Sequence, residues 1–83
     1  MRTLVAKARL NASVAQLIYD AREKAGLTQK ELAELFGTKQ PVIARLEDAD
    51  YEGHSLTMLH RIATALGQRL EIRLIQQAKK KAA

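Results

Sequence analysis

Eighty-three residues make one small domain, marginal alone because short chains bury a smaller share of their surface. Apolar residues make up 47% of the chain and aromatics only 4%, so the core must be Leu, Ile, Val and Ala, which favours close-packed helices. The net charge of +5 suggests an anionic partner. The absence of cysteine excludes disulfides, thiol catalysis and Cys-ligated zinc, and fits a reducing compartment.

The charge is unevenly spread. Residues 1–27 carry five basic and two acidic groups, residues 28–67 four and six, and residues 68–83 five and one. The centre is mildly acidic and the ends are basic. Phosphate attraction scales with the cations placed near the backbone, so charge alone argues weakly for nucleic acid. No run approaches the ~18–20 apolar residues of a membrane helix, and no signal-peptide pattern is visible. A cytoplasmic protein without a membrane partner is the expectation.

In chain order, residues 1–10 are Ala-rich and basic, a helical extension or a loose arm, with Thr3 as a candidate cap. From Asn11 to Ala25, the apolar positions Val14, Leu17, Ile18, Ala21 and Ala25 recur at helical spacing, and Gly26 closes the helix. Arg22 lies on the same side as Ile18, near the C-terminal end. It reads either as a solvated charge favoured there by the helix dipole or as one half of an ion pair with Glu47. Tyr19 and Asp20 read as surface, or dimer rim at most.

The central stretch carries the strongest signals. Thr28 and Glu31 form a T-x-x-E capping box, and Leu27 and Leu32 stand where a hydrophobic staple forms. Gly37 ends that helix and Pro41 sits in the first turn of the next, where a missing N–H costs little. A start, stop and restart within four residues describes a helix-turn-helix unit. Leu32, Ala33 and Phe36 face inward on its first helix, Ile43 and Leu46 on its second. Gln40, Pro41, Ala44 and Arg45 fall on the opposite face; Val42 lies between, suited to the core or to a thymine methyl.

Residues 48–54 have turn chemistry and no periodicity. Ser55 can cap a further helix with the face Leu56, Leu59, Ile62, Ala63 and Leu66, ending at Gly67. The period then changes: Arg69-Leu70-Glu71-Ile72-Arg73-Leu74 alternates polar and apolar, the pattern of a half-buried strand. One strand cannot satisfy its own ladder, so a twofold-related copy is the simplest partner, with Leu70, Ile72 and Leu74 in the dimer strand. The other reading continues the chain as helix or tail. Residues 77–83 form a basic tail.

Leu27-Thr28-Gln29-x-Glu31-Leu32-Ala33, then Gly37-x-x-Gln40-Pro41-Val42-Ile43-Ala44-Arg45-Leu46-Glu47, then Ile62-Ala63-x-Ala65-Leu66-Gly67 resembles the Xre family of Cro/cI-type helix-turn-helix proteins. The likeness covers residues 13–67. The added strand after Leu-Gly resembles the HigA and HipB branch, the antitoxin half of toxin–antitoxin pairs. The resemblance implies an all-α, lambda-repressor-like DNA-binding domain of four to five helices with a C-terminal β-strand pairing across a dimer. Its parts are an extension or arm at 1–10, the helix-turn-helix domain at 11–67, the strand at 68–76 and the tail at 77–83.

By position, the resemblance implies base reading by Lys39, Gln40, Pro41, Val42 and Arg45, and phosphate contacts from Thr28, Gln29, Lys30 and Lys39. It also favours the ion pair of Arg22 with Glu47. Gln suits adenine N6 and N7, and Arg or Lys suits guanine O6 and N7, whereas Pro41 offers only shape. Loop 48–52 is acidic where relatives often place basic or small residues, which suits a protein contact better than a phosphate.

Catalysis finds no support. His54 and His60 stand six apart with no cysteine or suitably spaced carboxylate, so each reads as a solvated histidine rather than a metal ligand. Ser13 and Ser55 have no base arranged beside them, and no phosphate-cradling glycine loop occurs. A non-enzyme without cofactor is expected. The leading function is a homodimeric repressor of bacterial or phage origin, working at the nucleoid on an inverted-repeat operator in double-stranded DNA, and the antitoxin that neutralises a toxin partner. A phage-type repressor without a toxin, or a protein-interaction module of little DNA affinity, is the alternative.

Overall fold

The computed structural model describes residues 2–76, with side chains from 7 onward. Four helices lie in this span: α1 (Arg2–Lys24), α2 (Gln29–Phe36), α3 (Gln40–Leu46) and α4 (Leu56–Ala65). The basic tail at 77–83 lies outside the described residues. α1 is continuous, so residues 2–10 belong to the same helix as the stretch from Asn11, and Thr3 lies within it rather than capping it.

The capping box of α2 is complete. Thr28 Oγ1 accepts from Glu31 N at 3.0 Å, and Glu31 Oε1 accepts from Thr28 N at 2.8 Å. Two orphan donors of the helix start are thereby satisfied reciprocally. At the other end Gly37 takes φ +83°, and the N–H of Thr38 donates to Ala33 O at 2.8 Å. This left-handed exit turns the chain within three residues into α3, where Pro41 occupies the first turn. Thr28→Ala removes one half of the box and is expected to cost about 1 kcal/mol. Urea denaturation with an unchanged midpoint would assign the box no stabilising role.

The core consists of Ala15, Ile18, Leu32, Ala33, Ile43, Leu46 and Ile62, with Val14, Phe36, Val42, Met58, Leu59 and Leu66 packed around it. α4 is held against α2 by Arg61. Its guanidinium lies 4.3 Å over the Phe36 ring and its Nη2 donates to Phe36 O at 3.3 Å, at the negative end of the α2 dipole. Ser55 Oγ caps α4 by accepting from Met58 N at 3.1 Å.

Several positions differ from the hydropathy reading. Leu17 is 56% exposed, Leu56 64%, and Ala25 also faces solvent, whereas Ala15 is buried. The buried stripe of α1 is Ala15, Ile18 and Arg22, at i, i+3 and i+7. An arginine closes that stripe at its C-terminal end, so apolar residues alone draw it too far towards Leu17. Leu56 opens α4 and projects past the core.

The expected C-terminal strand is not formed within the chain. Among the described residues, 68–76 have neither helix nor ladder. The physical reason is the one that pointed to a second copy: a strand is defined by its hydrogen-bond partner, and none of α1 to α4 can serve as one. Leu70 is half-buried, while Ile72, Leu74 and Ile75 are 60%, 100% and 79% exposed.

Candidate nucleic-acid interface

α2 and α3 pack closely because Ala33 is small where they approach, and Leu32, Ile43 and Leu46 interlock beneath them. With Ile43 and Leu46 committed to the core, α3 must turn Gln40, Pro41, Ala44 and Arg45 outward, and all four are exposed. Lys39 precedes the helix, exposed, with no side-chain bond to it. Val42 is half-buried against the core, which leaves it only partly available to a groove. Thr28 and Lys30 are exposed at the start of α2.

A buried ionic network braces this surface from behind. Arg22 is 6% exposed, and it donates from Nε to Glu47 Oε2 at 2.7 Å and from Nη2 to Glu47 Oε1 at 3.1 Å. Its Nη1 donates to Leu27 O at 2.7 Å, tying the end of α1 to the turn before α2. The Tyr19 ring lies 5.2 Å from the guanidinium carbon, so this exposed residue covers the charge. The hydrogen bonds to Glu47 raise the Arg22 pKa above its ordinary value, outweighing the burial that disfavours the cation.

Glu47 carries the network onward. Gln29 Nε2 donates to Glu47 Oε1 at 3.1 Å, and Gln40 Nε2 donates to Gln29 Oε1 at 3.3 Å. Gln29, for which the resemblance implied a phosphate contact, thus spans the two helices with its amide. Gln40 retains one amide hydrogen and its carbonyl oxygen, the pair required for a bidentate bond to adenine. Arg22 of α1, Glu47 after α3 and Gln29 of α2 thus set, in series, the orientation of one exposed amide on α3. No local sequence pattern reveals this chain of contacts, since its members stand up to 25 positions apart.

His54 departs from the solvated histidine that its sequence neighbours suggest. It is half-buried rather than solvated, with Nε2 2.8 Å from Leu46 O and its ring edge-on to Tyr51 at 5.0 Å. Donating from Nε2, it satisfies the last carbonyl of α3, one of the four that every helix end leaves open. His60 is exposed. No group of three His, Cys, Asp or Glu among the described residues is placed to hold a metal, and no helix there is long and apolar enough to cross a membrane.

The sequence matches a helix-turn-helix domain model over residues 2–75. The chain belongs to this helix-turn-helix domain family. It is 48% identical over 52 residues to an uncharacterized HTH-type transcriptional regulator of Methanothermobacter thermautotrophicus, covering 63% of this chain and 74% of that one. A second relative of the same description, from Haemophilus influenzae, is 32% identical over 68 residues, 82% of this chain and 68% of the other. In this family member the matched region includes all four helices and most of the C-terminal segment.

Proposed function

We propose that this chain is a sequence-specific DNA-binding transcriptional repressor that acts as a homodimer on an inverted-repeat operator. The observation that carries the reading is the braced Gln40, held through Gln29 and Glu47 on a helix whose exposed face also offers Pro41 and Arg45. The description of both relatives as HTH-type transcriptional regulators supports it. Gln40 and Arg45 read base edges, with Pro41 and Val42 fitting the groove by shape, while Thr28, Lys30 and Lys39 set the register on phosphates. Residues 69–75 pair two copies, so that two α3 helices enter successive major grooves about 34–36 Å apart. The antitoxin role, with a toxin as second partner and the cytoplasmic nucleoid as the place of action, rests on the likeness to the HigA and HipB branch.

An operator selected from a randomised duplex pool tests this reading at fixed salt. Gln40→Ala and Arg45→Ala are expected to lose ~1–3 kcal/mol each and to relax preference at single positions. Lys39→Ala should weaken all sequences alike and lower the salt slope by about 1. A wild-type chain that selects no sequence, or variants that discriminate as well as it does, would remove DNA reading from this surface.

A further inference from the structure

We propose that the groove between α1 and α4 seats Leu74 of a second copy of this chain, with the two C-terminal segments paired antiparallel about Ile72. The proposal rests on the dimeric reading above and specifies its register and its docking site. The groove encloses about 680 Å³, and Leu17, Ala21, Leu59, Leu66 and Leu70 supply much of its apolar wall. Leu17 is thus an apolar side chain left in solvent beside a cleft that, among the described residues, no further segment covers.

The chain also carries a matching insert. In an extended segment Leu70, Ile72 and Leu74 share one side and Glu71 and Arg73 the other. The Arg73 Nε stands 3.7 Å from Glu71 Oε2, consistent with that common outer face. Of these three apolar side chains only Leu70 lines the groove, which Gln68, Arg69 and Glu71 of the same segment also border; Ile72 and Leu74 run on past it into solvent. A twofold axis through Ile72 places Leu74 of the second copy directly opposite Leu70, and so at the groove. The same axis sets each Glu71 opposite Arg73 of the other copy. Centring the pair on Glu71 or on Arg73 instead brings like charges face to face, which is destabilising. Groove, insert and charges therefore agree on one register, and because the interface is isologous every contact off the axis occurs twice.

Sedimentation equilibrium of the full chain provides the test. Glu71→Arg and Arg73→Glu each create two like-charge pairs, and each is expected to weaken dimerisation roughly tenfold or more. Mixing the two variants should restore a heterodimer, because every cross-strand pair is then opposite in sign. Leu17→Ser, a change at a residue exposed in the single chain, should weaken the dimer while lowering the thermal midpoint of the monomer by no more than a few degrees. Single charge variants that dimerise as tightly as wild type, or a mixture that stays monomeric, would overturn the register. Full dimerisation of Leu17→Ser would remove the groove from the interface, and a wild type that remains monomeric would overturn the pairing altogether. Binding to a single half-site duplex, measured in parallel, reports on DNA reading independently of all three.

Discussion

Glu47→Ala should destabilise the domain by about 3–5 kcal/mol, because it leaves a buried guanidinium without its counter-charge. The Glu47 side chain is 4% exposed and that of Arg22 7%, so water cannot replace the lost acceptor without opening the core. Two Arg22 donors and the Gln29 amide lose their acceptor together. In a domain of this size each kcal/mol shifts the thermal midpoint by roughly 4–8 °C, so the midpoint should fall by at least about 10 °C. Arg22 itself brings no pH dependence into the working range. Its folded pKa is raised, so its contribution is fully present below the unfolded value and is lost only in strong alkali.

A companion variant separates the roles of the network. Arg22→Met with Glu47→Leu replaces the pair by apolar groups, an exchange that is often neutral or stabilising. Stability should largely return, yet Gln29 would lose the acceptor that fixes its amide, and Gln40 would lose its brace. Base discrimination is therefore expected to stay reduced in a well-folded protein. Recovery of both together would mean that the network serves stability alone.

Ile43→Ala is the second large effect, at about 2–5 kcal/mol. Ile43 is fully buried, at 0% exposure, and is one of the side chains through which α3 rests on α2. Truncation leaves a cavity under α3, and its seven residues have little intrinsic stability with which to hold their place. Leu35→Ala is the control: it removes the same kind of side chain from α2, but at a site 59% exposed, where the change should stay within about 0.5 kcal/mol. Equal urea midpoints for the two variants would contradict the packing described.

Local chemistry made much of the central unit legible. The Thr28 and Glu31 box, the left-handed Gly37 and the Pro41 restart are each decided by neighbours within a few residues, so their sequence spacing is their mechanism. The inward set of α2 and α3 followed from helical period for the same reason. Periodicity weighs hydropathy, so it places Leu17 inside without knowing that a charged residue, Arg22, completes the buried stripe of α1, and it places Leu56 inside although that residue opens α4 beyond the core. His54 was misjudged as well. Nothing near it in sequence announces that the end of α3 leaves a carbonyl within its reach.

The sequence by itself determined where the helices of the helix-turn-helix unit begin and end, which faces they bury and which side chains α3 is free to present. Those outcomes depend on backbone propensity, caps and period, all of which act over one or two turns. Only the tertiary structure decided that Gln29 and Gln40 join the expected Arg22–Glu47 pair in one hydrogen-bonded series, and that α1 and α4 leave an apolar groove beside Leu70. Such contacts join residues 11 to 25 positions apart, and a polar side chain carries no local mark of the partner that folding will bring to it.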